Sequence, residues 1–190
     1  MLPKILAVVP LILALSCGSG SGTDLEARVS ELVTQMTLEE KVAQMAGTTA
    51  LQGEYGIELW NVPGVERLGV PPFKMSDGPR GVGVGTGRTA FPVAMARAAS
   101  WNPEIERSVG EAMGAELAAI GGNVLLAPAM NNLRHPSWGR SQETYGEDVH
   151  LLSRRGVAAV RGIQTHVLAN PKHFAANSIE DTRFEVNITL

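Results

Sequence analysis

The stretch from Arg134 to Asp148 concentrates side chains that can hold a polar ligand. Its sequence, RHPSWGRSQETYGED, brings arginine, histidine, tryptophan and tyrosine together with three carboxylates in fifteen positions. Arginine offers a rigid fork of hydrogen-bond donors, carboxylates offer paired acceptors, and tryptophan offers a flat apolar face. This combination suits a polyhydroxylated ring better than a lipid or a nucleic acid. Because the stretch directly follows the apolar run 123–131, we expect a loop at the end of a buried strand.

Arg140 could donate hydrogen bonds to such a ligand if a neighbouring carboxylate holds it in place. Glu143 and Glu147 both follow it closely, and either could do so. The alternative is a network of surface ion pairs, which would contribute little to stability. Trp138 and Tyr145 in the same loop favour a ligand site over that alternative.

Asp77 is a second candidate ligand-binding residue, in the sequence MSDGPRG at 75–81. It follows a predicted strand at 70–75, where a carboxylate can accept two hydrogen bonds from vicinal hydroxyls. The alternative is a turn aspartate that bonds its own backbone.

Lys172 and His173 are adjacent after a third predicted strand and are followed by Asn177 and Arg183. Because side chains alternate along a strand, both can face one ligand only if the backbone is distorted. We therefore expect an unusual backbone at 172–174, such as a cis peptide bond. The alternative for His173 is a structural histidine.

The predicted elements alternate between strand and helix. Apolar spacing and capping residues predict helices at 24–36, from Thr37 onward, at 103–120 and at 150–164, and strands at 70–75, 124–127 and 167–169. Asn102 is expected to cap the helix that starts at Pro103. Residues 48–68 are predicted to be irregular. The order of elements predicts an α/β fold with a parallel sheet and helical crossovers.

The first residues predict export. Residues 1–16 contain a short positive start and an apolar run, as in a signal peptide. Cys17 follows Ser16 and is the one cysteine of the chain, which favours a lipoprotein with a lipidated Cys17 at its new N-terminus. The alternative is an ordinary secretory signal. Residues 17–24 would be a flexible tether, and 25–190 the folded domain.

Composition excludes other classes. A net charge of −3 argues against a nucleic-acid surface. The four histidines lack metal-ligand spacing, so no metal is expected. The glycines at 81–87 do not form a phosphate loop, because Pro92 prevents a prompt helix and the required lysine is absent.

Several motifs, taken together, resemble those of glycoside hydrolase family 3. They are MTLEEKVAQM (36–45), SDGPRG (76–81), NVLLAP (123–128), GRSQETYGED (139–148) and KHFAAN (172–177) with Arg183. Val149 departs from the proline common in the family. The resemblance covers 25–190 and implies the N-terminal part of an incomplete (β/α)8 TIM-type barrel. It also implies that a terminal sugar is bound by Asp77, Arg140, Lys172, His173 and Arg183, supported by Glu143 and Trp138.

The implied activity is that of an exo-acting retaining β-glycosidase, with β-glucosidase preferred. Its substrates would be β-linked oligosaccharides or aryl glycosides, and it would need no cofactor. β-Xylosidase and a non-catalytic sugar-binding lipoprotein are the alternatives. The N-acetylglucosaminidase branch fits less well, because its members resemble KHFPGHG where this chain has KHFAANS.

The resemblance further implies that the catalytic nucleophile and acid/base lie beyond Leu190. A full barrel takes about 250 residues, and only three of eight strands are predicted. We therefore expect the 190-residue chain to fold poorly and to hydrolyse nothing alone. The protein would be periplasmic or on the outer cell surface.

Overall fold

The computed structural model describes residues 22–52, 58–83 and 87–189 and divides the chain into two compact units at Thr37 and Leu38. The first unit contains helix α1 (Gly22–Gln35). The last three residues of the predicted tether, 22–24, are therefore helical rather than flexible. The signal segment and Cys17 lie outside the described residues. Among the residues described, no helix is long and apolar enough to cross a bilayer.

The second unit contains the remaining regular elements. Its helices are α2 (Leu38–Met45), α3 (Ala94–Ala98), α4 (Pro103–Ala119) and α5 (Val149–Ile163). Its strands are β1 (Thr48–Gln52), β2 (Glu58–Val62), β3 (Phe73–Asp77), β4 (Val124–Leu126) and β5 (Leu168–Ala169).

The strands form one five-stranded sheet in the order β1-β2-β3-β4-β5. The first three strands pair antiparallel, whereas β3, β4 and β5 are parallel, with Met75 opposite Val124 and Val124 opposite Leu168. The prediction that 48–68 is irregular was wrong, because β1 and β2 lie there. Residues 48–68 lack the alternation of apolar and polar residues that marks a half-buried strand. Their pairing into the sheet depends on β3, which lies outside this segment.

Helices α4 and α5 are the crossovers between the parallel strands, and their ends follow from local sequence. The Asn102 side chain accepts from the Glu104 amide at 3.0 Å, and the Asp148 side chain accepts from the Leu151 amide at 2.7 Å. Both bonds satisfy amides that the first turn leaves free. The expected Asn102 cap is confirmed.

The core lies between the parallel strands and these two helices. Leu125 of β4, Leu117 of α4 and Ile163 of α5 are all fully buried within it. Gly110 and Gly114 let α4 approach the backbone of α5, since a Cβ on Gly110 would lie 2.6 Å from the Ala159 carbonyl oxygen. The predicted α/β fold is confirmed, with strand bounds shifted by up to three residues.

Candidate functional site

Three loops meet at the carboxyl ends of the parallel strands. Asp77 is the last residue of β3, Arg140 lies in the loop after β4, and Lys172 and His173 follow β5. Parallel neighbouring strands end at the same edge of a sheet, so loops far apart in sequence come together there. The three sequence motifs therefore form one site.

Asp77 and Lys172 form the first contact of this site. The Lys172 ammonium donates to Asp77 Oδ1 at 2.5 Å. The Lys172 side chain is 13% exposed and that of Asp77 is 47% exposed, so the carboxylate keeps a surface open to a ligand. In the described part of the chain, the Asp77 side chain contacts a lysine that is distant in sequence and does not bond its own backbone, as a turn aspartate would.

Arg140 is held by Glu143 and not by the other candidate, Glu147. Its Nε donates to Glu143 Oε1 at 2.9 Å and its Nη2 donates to Oε2 at 2.7 Å. The 3-10 turn Ser141–Glu143 places the two side chains three residues apart on one side. The hydrogen bonds with Glu143 raise the pKa of Arg140 above its ordinary value. This two-point contact fixes the plane of the guanidinium.

His173 lies between Arg140 and Asn131. Its Nδ1 lies 2.7 Å from Asn131 Oδ1, and its Nε2 lies 3.2 Å from Arg140 Nη1. The Arg140 guanidinium can only donate a hydrogen bond, and the Asn131 amide oxygen can only accept one. Nδ1 of His173 therefore carries the proton, and Nε2 accepts from Arg140. Partial burial lowers the pKa of His173, and the charges of Arg140 and Lys172 lower it further. The imidazole is thus held neutral.

The backbone around this histidine is unusual, as expected. The Lys172–His173 and Phe174–Ala175 peptide bonds are both cis. The Lys172 side chain reaches Asp77 while the His173 side chain reaches Arg140, so that adjacent residues contact two different loops. The predicted distortion is confirmed.

Arg183 reaches this site through Glu180. Its Nη1 lies 3.1 Å from Glu180 Oε2, and its guanidinium lies 4.6 Å from the centre of the Phe184 ring. Glu180 Oε1 in turn lies 3.8 Å from Arg140 Nη1. Arg183 therefore belongs to the edge of the site, where it contacts Glu180 and Phe184 rather than the other predicted ligand-binding residues.

Trp138 is only 3% exposed, so the flat face that sequence suggested for a ligand is covered. It lines a groove of about 840 Å³ whose walls include Gly139, Glu180 and Asp181.

Sequence reasoning missed two residues of the site. Asn131 accepts hydrogen bonds from both the backbone amide and the imidazole of His173. Glu180 joins Arg140 to Arg183. The position of Asn131 at the end of an apolar strand run could have indicated it, because polar residues there line the strand ends. No comparable sequence signal marks Glu180.

The arrangement provides acceptors and donors for a polyol. A half-exposed carboxylate contacts an ammonium, and a guanidinium and a neutral imidazole contact each other on the neighbouring loops. These are the partners that paired hydroxyls require. Across the described ranges, no group of three His, Cys, Asp or Glu side chains is placed to hold a metal ion.

The known proteins to which this chain is similar are named as glycosidases. Residues 58–189 match the family model for the glycosyl hydrolase family 3 N terminal domain. A beta-glucosidase from Rhizobium radiobacter is 38% identical over 163 residues, which is 82% of this chain and 19% of that protein. An exo-alpha-(1->6)-L-arabinopyranosidase from Bifidobacterium longum is 34% identical over 83% of this chain and 22% of its own length.

Solved structures agree with this similarity. A beta-glucosidase from Streptomyces venezuelae in complex with D-glucose superposes with a TM-score of 0.75 at 39% identity, covering 84% of this chain and 20% of that one. This chain thus spans about a fifth of the relatives it matches. The fold is confirmed as part of a (β/α)8-type barrel. The chain belongs to glycosyl hydrolase family 3, and the match covers that family's N-terminal domain.

Proposed function

We propose that this protein acts as an exo-acting retaining β-glycosidase, with β-glucosidase as its preferred activity. The observation that carries the proposal is the Asp77–Lys172 contact beside the Arg140–His173 contact, from three loops at one sheet edge. The beta-glucosidase relatives support it.

In this proposal, the described residues bind and orient the terminal sugar. Asp77 accepts hydrogen bonds from two neighbouring hydroxyls, while Lys172, Arg140 and His173 complete the ring of partners. Hydrogen bonds to the sugar that strengthen in the transition state lower the barrier by several kcal/mol. The nucleophile and the acid/base, two carboxyls about 5–5.5 Å apart in retaining enzymes, would come from the polypeptide beyond Leu190.

The test is a kinetic comparison on the complete protein encoded by this gene. We expect turnover of an aryl β-glucoside, strongly reduced by Asp77→Asn and unchanged by Asp24→Asn, an exposed aspartate on α1 that is not one of the site residues. Turnover that is equal in all three proteins would contradict the proposed role of Asp77. Glucose binding without turnover would support a sugar-binding protein instead.

A pentopyranosidase, such as a β-xylosidase, is the second candidate. The half-exposed Asp77 leaves space beside the carboxylate, and one relative is named as an arabinopyranosidase. The ratio of kcat/KM for aryl β-xyloside and aryl β-glucoside separates the two. A ratio above one favours the pentosidase, because a site with hydroxymethyl contacts loses them with xylose.

We also propose that the protein is exported and anchored by a lipid on Cys17. The support is the sequence of residues 1–17, in which an apolar run ends at Ser16 and the chain's one cysteine follows. Labelled palmitate should be incorporated into the wild type and into Ser19→Ala, but not into Cys17→Ser. Equal labelling of the cysteine variant would contradict the anchor.

A further inference from the structure

Glu106 is a fully buried carboxylate that the sugar contacts do not use. It lies in the first turns of α4 and is 0% exposed. Its Oε2 accepts from Arg97 Nε at 2.8 Å, and its Oε1 accepts from Arg97 Nη2 at 2.9 Å and from the Tyr145 hydroxyl at 2.8 Å. One carboxylate thus binds two side chains from different parts of the chain.

Arg97 extends this contact to the loop that follows β3. Its guanidinium also donates to the Pro92 carbonyl and, from Nη2 at 3.3 Å, to the Pro79 carbonyl. Pro79 is two residues from Asp77. Burial lowers the pKa of Arg97, but the hydrogen bonds and the charge of Glu106, together with Tyr145, more than offset this and raise it. The arginine therefore stays charged and holds the backbone beside Asp77.

Tyr145 extends the same contact to the loop that follows β4. It is 2% exposed, and burial together with the charge of Glu106 raises the pKa of its hydroxyl well above the ordinary value. The hydroxyl therefore remains a donor. The preceding residue, Thr144, is fully buried and donates to the backbone carbonyl of Asn131, whose side chain holds His173.

We propose that Glu106 is a positioning residue that holds the loop of Asp77 and the loop of Arg140 at the spacing a sugar requires. This inference rests on the proposed function of the same site. Glu106 does not touch the sugar and acts through Arg97 and Tyr145.

The placement of these charges favours positioning over simple stabilisation. A buried ion pair is often no more stabilising than well-packed apolar residues, because both charges lose their hydration. Hydrogen bonds, unlike apolar contacts, fix direction as well as proximity. Here the hydrogen bonds of Arg97 and Glu106 reach the Pro79 carbonyl and the Tyr145 hydroxyl. These two atoms belong to two loops that carry different proposed sugar-binding residues.

The experiment compares Tyr145→Phe with Ile163→Val in the complete protein. Tyr145→Phe removes one hydroxyl and preserves the ring, whereas Ile163→Val removes one methyl group from the fully buried core of α5. We expect Tyr145→Phe to raise KM for an aryl glycoside and Kd for glucose about tenfold, because a displaced loop would lose about one charged hydrogen bond to the sugar. Ile163→Val should lower Tm by about as much as Tyr145→Phe does, but it should leave KM and Kd unchanged.

Hydrogen exchange gives a second readout that does not depend on activity. Tyr145→Phe should accelerate amide exchange at 77–83 and at 140–146 together, and Ile163→Val should not. Arg97→Lys, which loses the carbonyl contacts but keeps the charge, should do the same if Tyr145→Phe fails to fold.

The outcomes separate the two proposals. If the wild type neither binds glucose nor turns over a glycoside, the proposed function fails and the effect on sugar affinity fails with it. If the wild type is active and Tyr145→Phe matches Ile163→Val in KM, Kd and exchange, the positioning role of Glu106 is overturned.

Discussion

The Lys172 ammonium lies 2.5 Å from Asp77 Oδ1, although 95 positions separate these residues in the sequence. The contact exists because β3, β4 and β5 are parallel and adjacent, so that the loops after β3 and β5 lie at one edge of the sheet. Each residue supplies the opposite charge that the other needs, and together they provide an acceptor and a donor to a ligand.

Asp77→Asn is expected to reduce kcat/KM for an aryl glycoside about 10- to 100-fold in the complete protein. An amide accepts more weakly than a carboxylate and leaves the Lys172 charge without its partner, and hydrogen bonds to charged groups contribute about 1.5–3 kcal/mol. Steady-state kinetics provide the measurement. An unchanged kcat/KM would show that Asp77 does not bind substrate.

Arg140→Lys should raise KM more than it changes the unfolding free energy. Lysine keeps the charge but cannot form the two-point contact with Glu143 and approach His173 at once. We expect an increase in KM of about tenfold. Arg161→Lys, at an exposed position on α5, is the matched control and should leave KM unchanged.

Sugar binding should weaken as the pH falls through the folded-state pKa of His173, which lies below the ordinary histidine value of about 6.5. Because the folded-state pKa of His173 is lowered, the neutral imidazole stabilises the folded site fully above the ordinary pKa of histidine. This stabilisation is lost as the pH falls through the folded-state pKa. A proton on Nε2 removes the acceptor for Arg140 and adds a cation beside it. KM measured against pH should show this rise.

His173→Gln should remove that acidic rise in KM, whereas His166→Gln, at an exposed position, should retain it. A rise that persists in His173→Gln would assign the titration to another group.

Glu106→Ala is expected to destabilise the fold by about 3–5 kcal/mol, because it leaves the buried Arg97 charge without its partner. Urea-induced unfolding measures the change. The double variant Arg97→Met/Glu106→Leu should lose less, since neither charge then remains buried. A double variant that is less stable than the single one would contradict this explanation.

Gly110→Ala should destabilise the contact between α4 and α5 by about 1–3 kcal/mol. The added methyl would lie 2.6 Å from the Ala159 carbonyl oxygen and 3.2 Å from the Ile163 amide nitrogen, so the helices would have to separate. Ser108→Ala, at an exposed position on the same helix, is the control for the effect of alanine itself. A stability equal to the wild type would show that the interface can relax.

Local sequence was sufficient to predict the helices and strands whose ends are marked by capping residues or by apolar runs. Asn102 and Asp148 cap α4 and α5 because their short side chains reach the free amides of the first turn. Helices α1, α2, α4 and α5 and the three parallel strands were therefore predicted within a few residues, whereas α3 was not predicted. Strands β1 and β2 were not, since their pairing depends on partners outside their own segment.

For the site, residue type determined which side chains could bind a polyol, and the motif order determined the family. The tertiary structure decided the contacts: Glu143 rather than Glu147 holds Arg140, Asn131 orients His173, and Trp138 is covered. The reason is physical. A charge or an amide has the same chemistry at any position, but its partner depends on which strand ends the parallel sheet places side by side.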